Sequence, residues 1–146
     1  MVVEIIKAAM SHLDAVYNLI CELEGEALDK YDFMRIYQEN IDDRNVHYVL
    51  AADRSGVIGF ASLHIQKLLH HCAKTGEIQE IIISEKYQGA GAGTELFDYL
   101  VKTAVSSGCT HLEVCTRKVR EKTHEFYLKQ GMKQSHYKFV LDLVNK

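Results

Sequence analysis

The chain has 146 residues, 47% apolar and 25% charged, the make-up of one ordinary globular domain over residues 1–146. Seventeen Lys and Arg against twenty Asp and Glu leave a formal charge of −3, which excludes a chain built mainly to coat nucleic acid. No apolar run approaches the roughly 20 residues of a membrane helix, and residues 1–10 lack a secretory layout, so a cytoplasmic protein with no membrane partner is expected.

Val2–Lys7 is rich in β-formers and predicts an opening strand. Ser11 and Asp14 form an S-x-x-D capping signature. Leu13, Val16, Tyr17, Ile20 and Leu23 follow at helical spacing, predicting a helix over about 12–24 that Gly25 interrupts. Phe33, Ile36, Tyr37 and Ile41 predict a second helix over Asp29–Ile41. The period then changes. Val46–Asp53 reads as a strand, Arg54-Ser55-Gly56 as a turn and Val57–Gln66 as the hairpin partner. Lys67–Lys74 (KLLHHCAK) fits a strand end or a loop. Gly76–Ile83 (GEIQEIII) begins alternating and ends apolar throughout, as a central strand does. A glycine-rich turn, Gln88–Gly93, leads into a helix over about 91–106 with Leu96, Phe97, Leu100, Val101, Ala104 and Val105 inward. Thr110–Thr116 alternates as a strand, Glu121–Gln130 reads as a helix closed by Gly131, and Tyr137–Leu143 alternates as a last strand. The order β-α-α-β-β-β-α-β-α-β predicts a mixed α/β layer fold, begun by hairpins and finished by two strand–helix crossovers.

The chemistry concentrates in Glu80–Leu96 (EIIISEKYQGAGAGTEL). Glycines at 89, 91 and 93 let the backbone adopt φ > 0 and approach a ligand closely. The amides of residues 88–93 then stand at a helix N-terminus, a site suited to a phosphate or pyrophosphate. A P-loop is excluded because Gly93 is followed by Thr94-Glu95. A dinucleotide fingerprint is excluded because Thr94 and Leu96 stand where its last glycine belongs. What fits is Q/R-x-x-G-x-G/A, met by Gln88, Gly91 and Gly93.

That pattern resembles the pyrophosphate loop of the GNAT superfamily of N-acetyltransferases, which bind acetyl-coenzyme A. The length, element order and apolar strand before the loop match the family layout. Glu125–Met132 (EFYLKQGM) looks like its F-Y-x-x-x-G-F segment on the last helix. A narrower resemblance, to bacterial aminoalkylphosphonate N-acetyltransferases, is carried by Ala15–Leu23, Leu63–His71, Gly76–Glu80, His124–Leu128 and Gln134–His136. Gln88 replaces the commoner arginine, Arg120 and Thr123 stand where many members carry Asn and Ala, and Met132 replaces Phe.

The resemblance implies a mostly antiparallel sheet flanked by helices and direct acetyl transfer to a small-molecule amine. It implies that pantetheine lies beside Ile81, Ile82 and Ile83, whose amides stabilise the oxyanion, and that Gln88, Gly89, Ala90, Gly91, Ala92, Gly93 and Thr94 hold the pyrophosphate. Tyr127 is the implied acid for the thiolate, with His124 three residues earlier on the same helix. An amine acceptor also needs a base. Glu80, through a water, and Glu77 are the candidates. Three apart, they face opposite sides of a regular strand unless the bulge typical of the family intervenes. A phosphonate dianion calls for arginine, and Arg120 and Arg117 in the turn before the last helix, with His64, are the expected substrate contacts. Lys118 and Arg35 are further candidates.

Two other functions stay open: acetylation of a different amine (polyamine, amino acid, antibiotic or protein), and a sensor that binds coenzyme A without turnover. No protein metal site is expected. HExxH and CxxC are absent, and His70 and His71, if in a strand, point apart; a divalent ion would arrive with the phosphonate. The four cysteines are expected to be free and mostly core thiols. The family resemblance also suggests a homodimer.

Overall fold

Residues 46–83, where the sequence changes from helical to alternating period, form the middle of a five-stranded sheet in the computed structural model, which describes residues 2–144. By its contacts the chain divides after Glu113. The first unit carries β1 (Glu4–Lys7), α1 (Leu13–Glu24), α2 (Lys30–Ile41), β2 (Val46–Asp53), β3 (Gly56–Leu68), β4 (Ala73–Ile83), α3 (Ala92–Ser106) and all but the last residue of β5 (Cys109–Val114). Sheet order is β1-β2-β3-β4-β5, and the ladders joining β1 to β4 are antiparallel. This is the mixed α/β architecture expected from the element order.

The two faces of the sheet are covered differently. One receives α1 and α2: Val16, Leu19, Ile20 and Tyr37 pack with Tyr48, Leu50, Phe60 and Ile82 in one buried cluster. The other receives α3, as the position of a Cβ on Gly59 beside Leu96, and on Gly76 beside Ala104, establishes. Leu63, Ile78, Leu96 and Leu100 are fully buried.

Two local expectations are corrected and one left open is resolved. Ser11 does not cap α1; it lies in a single 3-10 turn, Met10–His12, where His12 Nδ1 accepts from the Ala9 N–H at 2.9 Å. The reach-back contact is thus made by an imidazole rather than a carboxylate, and to the amide of Ala9 rather than that of Ser11. Asp29 does cap its helix, accepting from the Asp32 N–H at 2.8 Å. In Lys67–Lys74, β3 runs on to Leu68, a 3-10 turn takes Leu69–His71, and Cys72 at φ 52° turns the chain into β4. All four cysteines are free, but none is a core thiol: Cys72 and Cys115 are exposed, Cys21 and Cys109 half-buried.

The second unit starts at Val114. It contains α4 (Glu121–Lys129), closed by a Schellman pair in which Met132 N–H donates to Tyr127 O and Gly131 N–H to Leu128 O. Residues 132–143 form neither helix nor strand, and all but the half-buried Met132 are exposed. The last strand expected over Tyr137–Leu143 is therefore absent. Its alternation marks a face that needs cover, and no strand of this chain among the described residues pairs with it. Among the described residues no helix is long and apolar enough to cross a membrane.

Candidate active site

Register across β3 and β4 settles where the two candidate bases face. His64 pairs with Glu77 and Leu63 with Ile78, but Ser62 pairs with Glu80, so Gln79 is an extra residue in β4. A bulge of this kind shifts the side-chain phase by one. Glu77 and Glu80, three apart in sequence, consequently face the same side, because their partners His64 and Ser62 are two apart. Two cross-strand rows result, Val46–His64–Glu77 and Tyr48–Ser62–Glu80. Both continue the face that higher up carries Leu50, Phe60 and Ile82.

Glu80 is held from both ends. Its N–H donates to Ser62 Oγ at 3.0 Å, and Ser62 Oγ–H in turn donates to Glu80 Oε1. Ser62 is fully buried, so this reciprocal pair satisfies a hydroxyl that would otherwise be costly there. The Tyr48 phenol accepts from Asn40 Nδ2 at 2.8 Å. Burial holds that phenol above its ordinary pKa, Asn40 opposes this, and the Glu80 charge adds to it. Sequence reasoning passed over both Ser62 and Tyr48. The signal for Ser62 was a lone hydroxyl within the apolar run Val57–Leu63. Thr75 was also missed. It lies two residues before Glu77 on the same face, with its Oγ1 buried and without a hydrogen-bond partner, a place for a polar ligand atom or water.

Beyond the bulge β4 is regular. Ser84 N–H donates to Ile58 O at 2.8 Å, so alternation turns the N–H of Ile82 toward β3 and those of Ile81 and Ile83 away from it. Ile81 and Ile83, not all three isoleucines, thus offer donors on the side away from β3. The Ile83 carbonyl, on that same side, accepts from Gln88 Nε2 at 3.0 Å.

The segment entering the glycine turn is tethered to α1 and to the β2–β3 turn. Glu22 accepts from Ser84 Oγ at 3.3 Å and from the Glu85 N–H at 2.9 Å, and Tyr87 Oη lies 2.8 Å from Ser55 Oγ. Gly89 and Gly91 adopt φ 85° and 88°, with open space where a Cβ would project. Gly91 is the N-cap of α3 and supplies no side-chain acceptor, so the first-turn amides of Ala92, Gly93 and Thr94 point out of the helix end. Gln88, Gly89, Ala90 and Gly91 are exposed. Backbone of this shape, without a capping side chain, fits a diphosphate.

In the second unit Tyr127 is buried on α4, and burial pushes its phenol up to about 12 against the opposing charge of Arg120. The His124 ring nitrogen Nε2 lies 2.9 Å from the Arg117 carbonyl, which ties it to the turn before the helix. Arg117 and Lys118 are exposed and Arg120 half-buried. Arg35, on α2 of the first unit, is engaged by Asp32 and Glu39 at 3.8 Å each.

Histidines gather elsewhere. His70 and His71 occupy the 3-10 turn rather than a strand, so their rings do not point apart: the centroids are 4.2 Å from each other, and His111 stacks on His71 at 4.1 Å. Among the described residues no three His, Cys, Asp or Glu side chains converge as a metal site.

Residues 13–132 match the family model described as the acetyltransferase (GNAT) family. The chain is 39% identical to aminoalkylphosphonate N-acetyltransferase of Salmonella typhimurium over 95% of its own length and 90% of that protein. It is 29% identical to glucosamine 6-phosphate N-acetyltransferase of Arabidopsis thaliana over 74% of its length and 72% of that relative. Among solved structures, a protein described as a transcriptional regulator from Bacillus halodurans shares the fold at TM-score 0.89 and 20% identity, covering 97% of this chain and 100% of that one.

Proposed function

The chain belongs to the acetyltransferase (GNAT) family and is an acetyl-CoA-dependent N-acetyltransferase; from that premise we propose that it acetylates the primary amine of an aminoalkylphosphonate. The observation carrying the acceptor is the 39% identity over nearly the whole chain to an enzyme named for that substrate. On this reading the protein works as one catalytic domain in the cytoplasm, as a homodimer, and a divalent ion enters with the phosphonate.

Acetyl-CoA supplies the activated acyl group as a thioester. The amides around Gly89, Gly91 and the first turn of α3 bind its diphosphate, with Gln88, Ala90, Gly93 and Thr94 completing the loop. The N–H groups of Ile81 and Ile83 donate to the carbonyl oxygen as it gains charge. Glu80, oriented by Ser62, takes the ammonium proton through a water, and Glu77 on the same face shares the negative field that draws the ammonium in. Tyr127 serves the leaving sulfur. A phenol at about 12 keeps its proton at neutral pH. Full transfer to a thiolate of pKa ~8.5 is uphill, so its role is chiefly hydrogen-bond donation. Arg120 and Arg117, with His64, are assigned to the phosphonate oxygens.

A second reading, acetylation of a phosphorylated amino sugar, has the Arabidopsis relative in its favour. It keeps the chemistry, an amine beside a phosphorus oxyanion, and changes the body of the acceptor. Coenzyme A thiol release with 2-aminoethylphosphonate, glucosamine 6-phosphate, polyamines, amino acids and an aminoglycoside, with and without chelator, separates these. Turnover of the aminophosphonate with kcat/KM at least tenfold above every other amine is expected. Preference for another amine would overturn the acceptor assignment, and tight coenzyme binding with no release from any amine would leave only a sensor.

A further inference from the structure

An aromatic series, Tyr17, Phe33, Tyr37, Tyr48 and Phe60, runs from α1 and α2 onto the sheet, and one of its three hydroxyls leaves its proton unused. Tyr17 donates to Leu28 O and Tyr37 to Ala9 O. Tyr48 only accepts, from Asn40 Nδ2 at 2.8 Å, and among the described residues its own O–H meets no acceptor. Its ring stands edge-on to Phe60 and tilted against Tyr37, each at 5.3 Å between centroids, and only 9% of the residue is exposed. A hydroxyl so buried, with no use for its proton, carries a cost that phenylalanine would avoid.

Glu80 shows the complementary lack. Its Oε1 accepts from Ser62, while Oε2 meets no donor among the described residues. Tyr48, Ser62 and Glu80 form one cross-strand row. Phenol and carboxylate therefore arise two strand spacings apart, roughly 9.5 Å, with only the small serine between them. One wall of this notch offers a proton and the other accepts one. A water is the smallest group that satisfies both. We propose that Tyr48, oriented by Asn40, is a positioning residue of the proton path: its O–H fixes the water through which Glu80 deprotonates the acceptor amine. The inference rests on the reading of Glu80 as the base. The ammonium N–H bond breaks toward the water oxygen as a water O–H bond breaks toward Glu80 Oε2. The nitrogen gains its lone pair, the water is re-formed, and Tyr48 keeps its proton throughout. Burial, and then the Glu80 charge, hold that phenol above its ordinary pKa, so it stays a donor at neutral pH.

Coenzyme A thiol release is compared for 2-aminoethylphosphonate and 2-(aminooxy)ethylphosphonate, whose nitrogen is already neutral at pH 7 and needs no base before attack. Should another amine be preferred, that amine and its aminooxy counterpart take their place. Tyr48→Phe is expected to lower kcat/KM about tenfold or more with the amine and less than about threefold with the aminooxy acceptor. Coenzyme affinity by calorimetry is expected to stay at the wild-type value. Asn40→Leu keeps the phenol but frees its orientation, and is expected to lose roughly three- to tenfold with the amine alone. Added to Glu80→Gln, Tyr48→Phe is expected to cost less than about twofold more, since both act on one proton. Equal losses with both acceptors, or multiplicative losses in the double variant, would overturn the proposal. Loss of activity in Glu80→Gln beside an unaffected Tyr48→Phe overturns the proposal alone, whereas Glu80→Gln at wild-type kcat/KM overturns the base and the proposal together.

Discussion

The two faces of the β2–β3–β4 sheet differ in what their burial is for. Toward α3 the sheet presents Ala61, Leu63 and Ile78, closed over by Leu96, Leu100 and Ala104, with glycine at 59 and 76 where a Cβ would crowd Ile82 and Ile83, and Leu63, of the neighbouring strand. Toward α1 and α2 it starts equally apolar, with Leu50, Phe60 and Ile82, and then turns polar within one residue pair, at Ser62 and Glu80. One surface secures the fold by dispersion and exclusion of water. Its reverse places two carboxylates side by side and compensates one of them with a buried serine. The bulge at Gln79 is what permits the contrast, since it lets a strand apolar toward α3 put both acids on the other side.

Deleting Gln79 tests the bulge directly. It leaves a regular ladder in which Glu77 and Glu80, then two apart, still share a face opposite His64 and Ser62, so cooperative unfolding is expected to survive while loss of the local bend that aims the amides beyond it lowers thiol-release kcat/KM more than about 100-fold. Gln79→Ala, which keeps the extra residue and trims only an exposed side chain, is expected to shift stability by less than about 0.5 kcal/mol in chemical denaturation. Leu63→Ala on the α3 face is expected to cost roughly 2–5 kcal/mol; kcat/KM per folded molecule should change less than threefold. Glu80→Gln reverses that pattern. It is isosteric and is expected to lower kcat/KM by roughly 100-fold, with a denaturation midpoint close to wild type. If Glu77→Gln gives the larger loss, the roles of the two acids exchange.

Tyr127→Phe is expected to reduce kcat more than tenfold while coenzyme affinity by calorimetry barely moves; an unchanged kcat removes the phenol from the chemistry. The smallest expected effect concerns Tyr37, whose hydroxyl donates to Ala9 O at 2.7 Å and whose pKa burial raises to about 12. A phenol that ionises at 10 when unfolded and near 12 when folded contributes stability in full below pH 10 and loses it as pH rises from 10 to 12. Tyr37→Phe is expected to cost about 1 kcal/mol at pH 8 and to flatten the alkaline decline.

How much of this was legible beforehand differs by scale. Helical spacing located α1, α2 and α3 because each buries a single stripe, and the glycine turn declared itself because few other backbones need φ > 0 twice in three residues. The facing of Glu77 and Glu80 was not legible, for a bulge is a property of the pairing and only the register of β3 against β4 reveals it. Its one trace is the adjacent polar pair Gln79-Glu80 in an otherwise alternating run. Ser62 was legible as an anomaly but not as a partner, which required the strand opposite. Tyr137–Leu143 shows the converse: its alternation predicts a last strand, and the segment forms neither helix nor strand, because a period of two does not by itself supply the neighbouring strand that a ladder needs.

With the diphosphate placed at the glycine turn as proposed, the carboxylate of Glu22 gives α1 a part in cofactor capture at a distance. By holding Ser84 and Glu85 before any ligand arrives, it freezes the approach to the glycine turn in advance, so less conformational freedom is surrendered at the moment of association. A helix far from the reacting atoms thereby tunes how readily the coenzyme is retained, and shortening that one side chain would register as a less favourable binding entropy while leaving the chemical step alone.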